Sequence, residues 1–283
     1  MYRLLIDGPL ALEVVAPAQG LRLGPVESAA RLLPPDYLTQ LRRRIFAHPW
    51  PLDEHLAEVV RDQAVGWHFL GNPGGQLPYQ YLAQYIRALS QEWFEKPLPD
   101  LKILDWGCGK GQVSYLLNQA GARVTSADVD PTEGSLILGP TVQSLDHPYE
   151  LPFETGQFDV VLSVGVLEHV PQEVDSLREI RRVLRPNGLF FCFNLPYKYS
   201  WVMWAVRLLG NWYHDRLYGR SQTRQLLQSS NFQVLDLWQR QLLPKNRLRL
   251  PGFRFWERLD QCLVENTPLA MFASSLEFVA TPC

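Results

Sequence analysis

Residues 103–111 read Ile-Leu-Asp-Trp-Gly-Cys-Gly-Lys-Gly, an apolar run that closes on Asp105 and is followed by glycines at 107, 109 and 111. Glycines at that spacing let the backbone turn tightly and approach a ligand at the carboxyl end of a parallel strand, where side chains would obstruct it. The segment points to a dinucleotide or an adenosyl ligand, with a tight structural turn as the plain alternative. Spacing separates the ligand classes. A dinucleotide fingerprint would place its third glycine at position 112, which is Gln112. A P-loop would want Ser or Thr after Lys110, where the chain has Gly111, and a glycine where it has Leu104. Pyrophosphate binding is disfavoured.

Further along, 112–120 reads as a helix stopped by Gly121, and Ala-Arg-Val-Thr-Ser-Ala-Asp at 122–128 as a second buried strand ending in an acid. Asp128 lies 19 positions beyond Gly109, close to the offset of about 20 at which a carboxylate accepts both hydroxyl protons of an adenosine ribose. Its alternative role is a strand-end or capping acid, for which Asp130 beside Pro131 is the better candidate.

The Asp-x-Gly-x-Gly-x-Gly form beginning at Asp105 resembles motif I of the class I S-adenosylmethionine-dependent methyltransferases. SLDHPYELPFETGQFDVVLSVGVLEHV at 144–170 resembles the middle of the type-11 methyltransferase domain, and LREIRRVLRPNGLFFCFNLP at 177–196 its helix, Pro-Asn-Gly turn and fifth strand. The resemblance covers roughly residues 78–240 and 275–281. It implies S-adenosylmethionine as cofactor, with Asp105 orienting the loop and the methionine amino group. Gly107, Cys108, Gly109 and Gly111 would form the wall against which the cofactor lies, and Asp128, with Val129 beside it, would hold the ribose. Asp146 would bond the adenine amino group and the backbone amide of His147 a ring nitrogen, although one extra residue before Leu151 departs from the family's commonest spacing.

His169, after the fourth strand, is the candidate acid–base group, because histidine titrates near neutrality without a large perturbation. Its alternative is a helix-start residue fixed by Glu168 or a backbone carbonyl. Some relatives in ubiquinone biosynthesis carry a metal through Glu-x-x-Glu-His; here the first acid is Gly165, so no bound metal is expected. Asn194-Leu195-Pro196-Tyr197 is superficially similar to the Asn-Pro-Pro-Tyr motif of amino-group methyltransferases, but it follows the fifth strand and lacks the second proline, so adenine methylation carries little weight.

These residues require a particular scaffold. From 101 the chain alternates strand and helix, with strands near 101–106, 122–128, 140–144, 158–163, 188–194, 232–239 and 274–281. The fold class is α/β: a doubly wound, seven-stranded, mostly parallel sheet with an N-terminal, mainly helical extension and substrate-side insertions. That the last strand enters antiparallel is implied by the resemblance alone. The helix between the second and third strands looks stunted by Pro131, Gly134, Gly139 and Pro140. Residues 1–77 form the extension, with short strands and loops to 35 and helices at 36–47 and 52–66; Gly71 to Gly75 breaks the pattern before a helix over 78–95. Residues 78–283 form the catalytic domain, interrupted at 197–219 and 244–273.

The first insertion is unusually aromatic. Trp201, Val202, Trp204, Ala205 and Leu208 make a helical stripe that would pack on the sheet. Alternatively, with Lys198, Arg207 and Arg216 they would suit peripheral membrane contact through 197–219, or an apolar acceptor carrying a phosphate.

A formal net charge of -2 gives no basic field for nucleic acid, although arginines cluster at 42–44, 181–185 and 247–254. Four cysteines without Cys-x-x-Cys spacing suggest neither zinc nor a disulfide framework. The N-terminus lacks a signal-peptide layout, and no uninterrupted run of ~18 apolar residues is present to span a bilayer. A reduced, cytoplasmic setting follows. The expected activity is methyl transfer to a small or lipid-linked acceptor at oxygen. The alternatives are an aminopropyl-transferring enzyme of the same fold, which would want an acidic polyamine pocket, and a non-catalytic subunit that retains the cofactor site.

Overall fold

A strand buried on both faces must be apolar at successive positions, and in 103–104, 160–162 and 189–193 nearly every residue is. In the computed structural model, which describes residues 34, 36–48, 73–132, 137, 141–210, 216–243 and 252–283, those runs form the middle of a seven-stranded sheet. The strands are β1 (Lys102–Trp106), β2 (Arg123–Asp128), β3 (Gln143–Ser144), β4 (Phe158–Val164), β5 (Leu184–Pro196), β6 (Phe232–Arg240) and β7 (Ser275–Pro282). Their spatial order is β3-β2-β1-β4-β5-β7-β6. β1 to β5 run parallel, and β7 lies antiparallel between β5 and β6. The strand order reverses at β1 and β4, and the crevice beyond their carboxyl ends is where such sheets take ligands.

Alternation divides the core in two. Ile103, Val160, Leu162, Phe191 and Val279 face one side. There they pack against α1 (Tyr37–Ala47), α2 (Pro73–Phe94) and α3 (Gln112–Gln119) through Leu41, Tyr85 and Leu117. Leu104, Val161, Phe190, Cys192 and Phe278 face the other. Their partners are α4 (Glu173–Val183), through Leu177 and Ile180, and α6 (Arg220–Ser229), through Leu227. Two further helices, α5 (Trp201–Leu208) and α7 (Phe253–Asn266), belong to the insertions, and 3-10 turns occupy Leu98–Asp100 and Pro268–Phe272.

Several expectations need correction. α2 begins at Pro73, not 78, so the boundary at 77 falls inside a helix. Proline lacks the N–H that a first helical turn leaves unused, and Gly75, Gln76, Leu77 and Pro78 are all buried, so packing outweighs the breaker signal at the cost of one N–H at Pro78. Residues 37–47 also share the sheet's core rather than standing apart, through Leu38, Leu41 and Ile45. The Pro-Asn-Gly turn lies within β5, as an irregularity where the pairing jumps from Phe158–Leu184 to Val160–Leu189. The strand expected at 140–144 reduces to an edge pair, Gln143 and Ser144, beside Ala127 and Asp128. The helix expected at 52–66, the segments read within 1–33, and most of the stunted helix lie outside the described residues.

α5 overturns the packed-stripe reading. Ser200 caps it by accepting from the Met203 N–H at 3.1 Å. None of its residues is buried, and Trp204 and Leu208 are 66% and 67% exposed. The stripe is helical, but none of it is buried against the sheet. Among the described residues no helix is long and apolar enough to cross a membrane.

Candidate functional site

Everything at the reversal point hangs on the exit of β1. Asp105 pairs with Ser126 of β2 on one side and Leu162 of β4 on the other, and its carboxyl is buried between the sheet and α3. Ser114 Oγ, from α3, donates to Oδ2 at 2.7 Å, and Ser126 Oγ donates to Ser114 at 2.8 Å. Burial nevertheless pushes the Asp105 carboxyl up to about 7; the Ser114 bond works against this, and the nearby Asp128 charge adds to it.

The glycine loop then crosses to β2. The Gly107 and Cys108 N–H groups both donate to Ala127 O, at 2.9 and 3.1 Å, and the Gly109 N–H donates to Asp128 Oδ2 at 2.7 Å. The other Asp128 oxygen accepts from the Asp130 N–H at 3.0 Å. Gly107 and Gly109 have φ of 70° and 51°, in the left-handed region, but for different surroundings. A Cβ at Gly107 would sit 2.5 Å from a Val166 methyl, whereas one at Gly109 would meet nothing within 4 Å. Gly107→Ala should therefore destabilise the fold by about 1–3 kcal/mol through strain and overpacking. Gly109→Ala should cost only about 1–2 kcal/mol of backbone strain and act mainly on ligand affinity, since its methyl enters the crevice. Urea unfolding and ligand titration of both variants separate the two effects.

Leu145 N–H donates to Asp128 O at 2.8 Å, which brings the next loop to the lip of the same crevice. Asp146 and His147 are exposed there, with the His147 ring stacked on Tyr149 at 5.1 Å between centroids. Trp106 Nε1 fastens this loop through Pro148 O at 3.1 Å. Val129, 54% exposed, follows Asp128 on the open side. The structure thus gathers Asp105, Gly107, Cys108, Gly109, Gly111, Asp128, Val129, Asp146 and His147 around one end of β1 and β2.

His169 sits one strand away, after β4. Its backbone N–H closes a turn onto Val166 O at 2.9 Å, and its half-exposed ring lies 3.8 Å from Glu168 Oε1. It precedes α4 by a short loop rather than starting the helix. The neighbouring Glu168, read from the sequence only as a partner for His169, is buried, and its Oε2 lacks a hydrogen-bond partner among the described residues. Burial pushes the Glu168 carboxyl up to about 7. A folded-state pKa above the unfolded one means that the native protein holds its proton more tightly. The associated stability is full below about 4.5 and is lost as pH rises through about 7, roughly 3 kcal/mol in all. Asp105 adds a fall of the same sign. Glu168→Gln should flatten the decline of the melting temperature between about pH 5 and 8, measured by scanning calorimetry; an unaltered slope would show that Glu168 is not the group responsible.

The loop carrying Glu168 and His169 is clamped from outside. Arg216 donates to Val170 O at 2.7 Å and Pro171 O at 3.3 Å, and the Tyr218 hydroxyl donates to Leu167 O at 3.1 Å. A second polar cluster lies where β5, β7 and β6 end. Arg240 Nε pairs with Glu277 Oε1, Arg240 Nη2 donates to Asn194 Oδ1 at 3.0 Å, and the guanidinium lies over Tyr81 at 5.5 Å. Both charged side chains are buried, and Arg240 Nη1 and Glu277 Oε2 have no hydrogen-bond partner among the described residues. Nothing local in the sequence marks this pair, whose members lie on different strands. Among the described residues no three His, Cys, Asp or Glu side chains gather as a metal set.

A family model described as a methyltransferase domain matches residues 104–192. Ubiquinone biosynthesis O-methyltransferase of Cereibacter sphaeroides is 32% identical over 184 residues, spanning 56% of this chain and 74% of that protein. The enzyme of the same name from Ruegeria pomeroyi is 32% identical over 188 residues, 59% of this chain and 74% of that one. Among solved structures, a candidate methyltransferase in complex with the Haloferax volcanii Trm112 methyltransferase activator superposes with a TM-score of 0.51 at 16% identity, covering 82% of this chain and 96% of its own. A candidate sarcosine dimethylglycine methyltransferase of Galdieria sulphuraria gives 0.51 at 14% identity, covering 79% and 98%. At those identities the superpositions speak for the fold alone.

Proposed function

Since this chain belongs to the class I S-adenosylmethionine-dependent methyltransferases, we propose that it transfers the methyl group to an oxygen of a small or lipid-linked acceptor. One observation carries the cofactor reading: the Asp128 carboxylate clasps the Gly109 N–H while the bare face of Gly109 looks onto open space. The residues present fit S-adenosylmethionine. Asp128 spends one lone pair of each oxygen on a backbone N–H, which leaves acceptor capacity for two ribose hydroxyls. Asp105 lies at the head of the loop, where it would orient the loop and, directly or through water, the methionine amino group. Gly107, Cys108, Gly109 and Gly111 present backbone, and Val129 an apolar side, to the nucleoside. Asp146 and the backbone of His147 would read the adenine edge.

When bound, S-adenosylmethionine supplies a methyl already activated by its sulfonium. The protein's task is then alignment and exclusion of water, which can supply on the order of 7–11 kcal/mol in favourable intramolecular cases. A dedicated base is optional; His169, in a turn held by Val166 O, would take the proton that leaves an attacking hydroxyl. Oxygen is favoured as the acceptor atom because the relatives from Cereibacter sphaeroides and Ruegeria pomeroyi bear the name O-methyltransferase. Calorimetric titration with S-adenosylhomocysteine tests the reading. Saturable binding is expected; no heat at high micromolar ligand with folded protein would count against the site.

The lipid-linked option draws on α5. Trp201, Trp204, Leu208 and Leu209 are exposed, and Lys198 and Arg207 stand beside them, a composition suited to the headgroup boundary of an anionic bilayer. Co-sedimentation with vesicles containing phosphatidylglycerol should be lost on Trp204→Ser with Leu208→Ser. Undiminished sedimentation of that variant would exclude α5 as the contact.

A further inference from the structure

We propose that Asn194 donates a hydrogen bond from its side-chain amide to an oxygen of the methyl acceptor, and that the buried Arg240–Glu277 pair is the device that aims it. The assignment rests on the methyltransfer reading above and adds the acceptor's chemistry: a hydroxyl or carbonyl oxygen at or beside the atom that receives the methyl.

The backbone singles Asn194 out. It has φ of 60°, a left-handed conformation that few residues other than glycine adopt and that asparagine tolerates best. It lies inside the irregularity of β5, where the pairing with β7 jumps from Cys192–Phe278 to Leu195–Leu276. Such bulges re-aim a side chain at a strand end, and strained backbone concentrates where binding requires it. Cys192 and Leu195 both face one core and Phe193 the other, so Asn194 is the extra residue that breaks the alternation.

Its height in the sheet is right for an acceptor. Phe193 O accepts from the Gly165 N–H at 2.9 Å, so Asn194 stands level with the turn after β4, and Val166 in that turn touches the glycine loop at Gly107. Two strand spacings separate the loop from Asn194, about 10 Å. That is the distance over which a nucleoside lying on the loop hands a group toward β5.

Its amide is pre-oriented. Arg240 Nη2 donates to Oδ1 at 3.0 Å, which fixes which end of the amide is the acceptor. Nδ2 has no hydrogen-bond partner among the described residues and is not among the sealed atoms left unpaired, so its donors are uncommitted and not fully enclosed. An amide held this way offers donors only, and it would receive a lone pair. The supporting pair is a poor choice for stability by itself, since buried ion pairs are often matched or bettered by apolar residues. Leaving Arg240 Nη1 and Glu277 Oε2 unsatisfied deepens that cost. Fixing Asn194 gives the pair a use.

Asn194→Asp is the discriminating variant, because aspartate keeps the size, the left-handed tolerance and the oxygen that Arg240 holds, and replaces the donor by a charged acceptor. The measurement is transfer of tritiated methyl from S-adenosylmethionine into the lipid and polar fractions of an extract from cells lacking this protein's gene. Transfer by Asn194→Asp should fall by about tenfold or more, while S-adenosylhomocysteine affinity stays within about twofold of wild type and the melting temperature is not lowered. Asn194→Gly, which suits the backbone, should show the same loss and covers the case in which the aspartate variant folds poorly. Transfer by either folded variant within about twofold of wild type overturns the assignment. Loss of S-adenosylhomocysteine affinity in step with transfer overturns it too, because the defect would then lie at the cofactor. Wild-type protein that binds S-adenosylhomocysteine yet methylates no fraction would instead bring down the methyltransfer reading on which the assignment stands.

Discussion

Glu277→Ala should lower the free energy of unfolding by about 3–5 kcal/mol, because it strands the buried Arg240 guanidinium without its counter-charge. Asp236 is already paired with Arg42 and does not replace the lost carboxylate. The complementary variant is Arg240→Met with Glu277→Leu, in which both charges go. It should recover most of the stability, since removing a buried pair together avoids the unpaired charge. Urea denaturation of the two variants distinguishes these cases. A single variant that loses less than about 1 kcal/mol would mean that water reaches Arg240, and that the pair is not sealed as described.

Asp128→Ala should weaken S-adenosylhomocysteine binding by roughly 1–3 kcal/mol, about 5- to 150-fold, as charge-assisted hydrogen bonds are lost. Two losses combine in that figure. The first is the proposed pair of bonds to ribose. The second is the clasp to Gly109, which holds the loop in the shape the ligand must meet. Asp128→Asn keeps one oxygen and should fall between. Because Asp128 is only half-buried, the ligand-free melting temperature should move little, so calorimetric titration reads binding rather than folding. An affinity equal to wild type would remove Asp128 from the ribose.

What could be read in advance was local. Asp105, the three glycines and Asp128 lie within a strand-turn-helix-strand unit, where spacing alone determines which residues meet. The β1–β2 register, with Asp105 beside Ser126, needs no long-range information. Legibility failed where tertiary burial outvoted a local preference. Pro73 to Gly75 carry strong breaker signals, yet α2 runs through them into a buried turn at Gly75 to Pro78. Pro186-Asn187-Gly188 reads as a turn, but it is absorbed into β5, where Trp93 Nε1 donates to Asn187 O at 2.9 Å. The α5 stripe has helical periodicity, and periodicity does not say which way a stripe faces. Glu168 was passed over in favour of His169 because burial, not residue type, shifts its titration. Arg240 and Glu277 meet only because β6 and β7 pair antiparallel, so no motif could announce them.

The position of β7 sets a condition on biosynthesis. In the sheet, β6 has no neighbour except β7, which comes last of the seven strands in chain order. While the ribosome has delivered β1 to β6 but not residues 275–282, the exit side of β5 and the whole of β6 present unsatisfied peptide groups. Such half-finished edges recruit other chains. Completion of this sheet therefore waits on residues 275–282, and a nascent chain that still lacks them must be shielded from its neighbours.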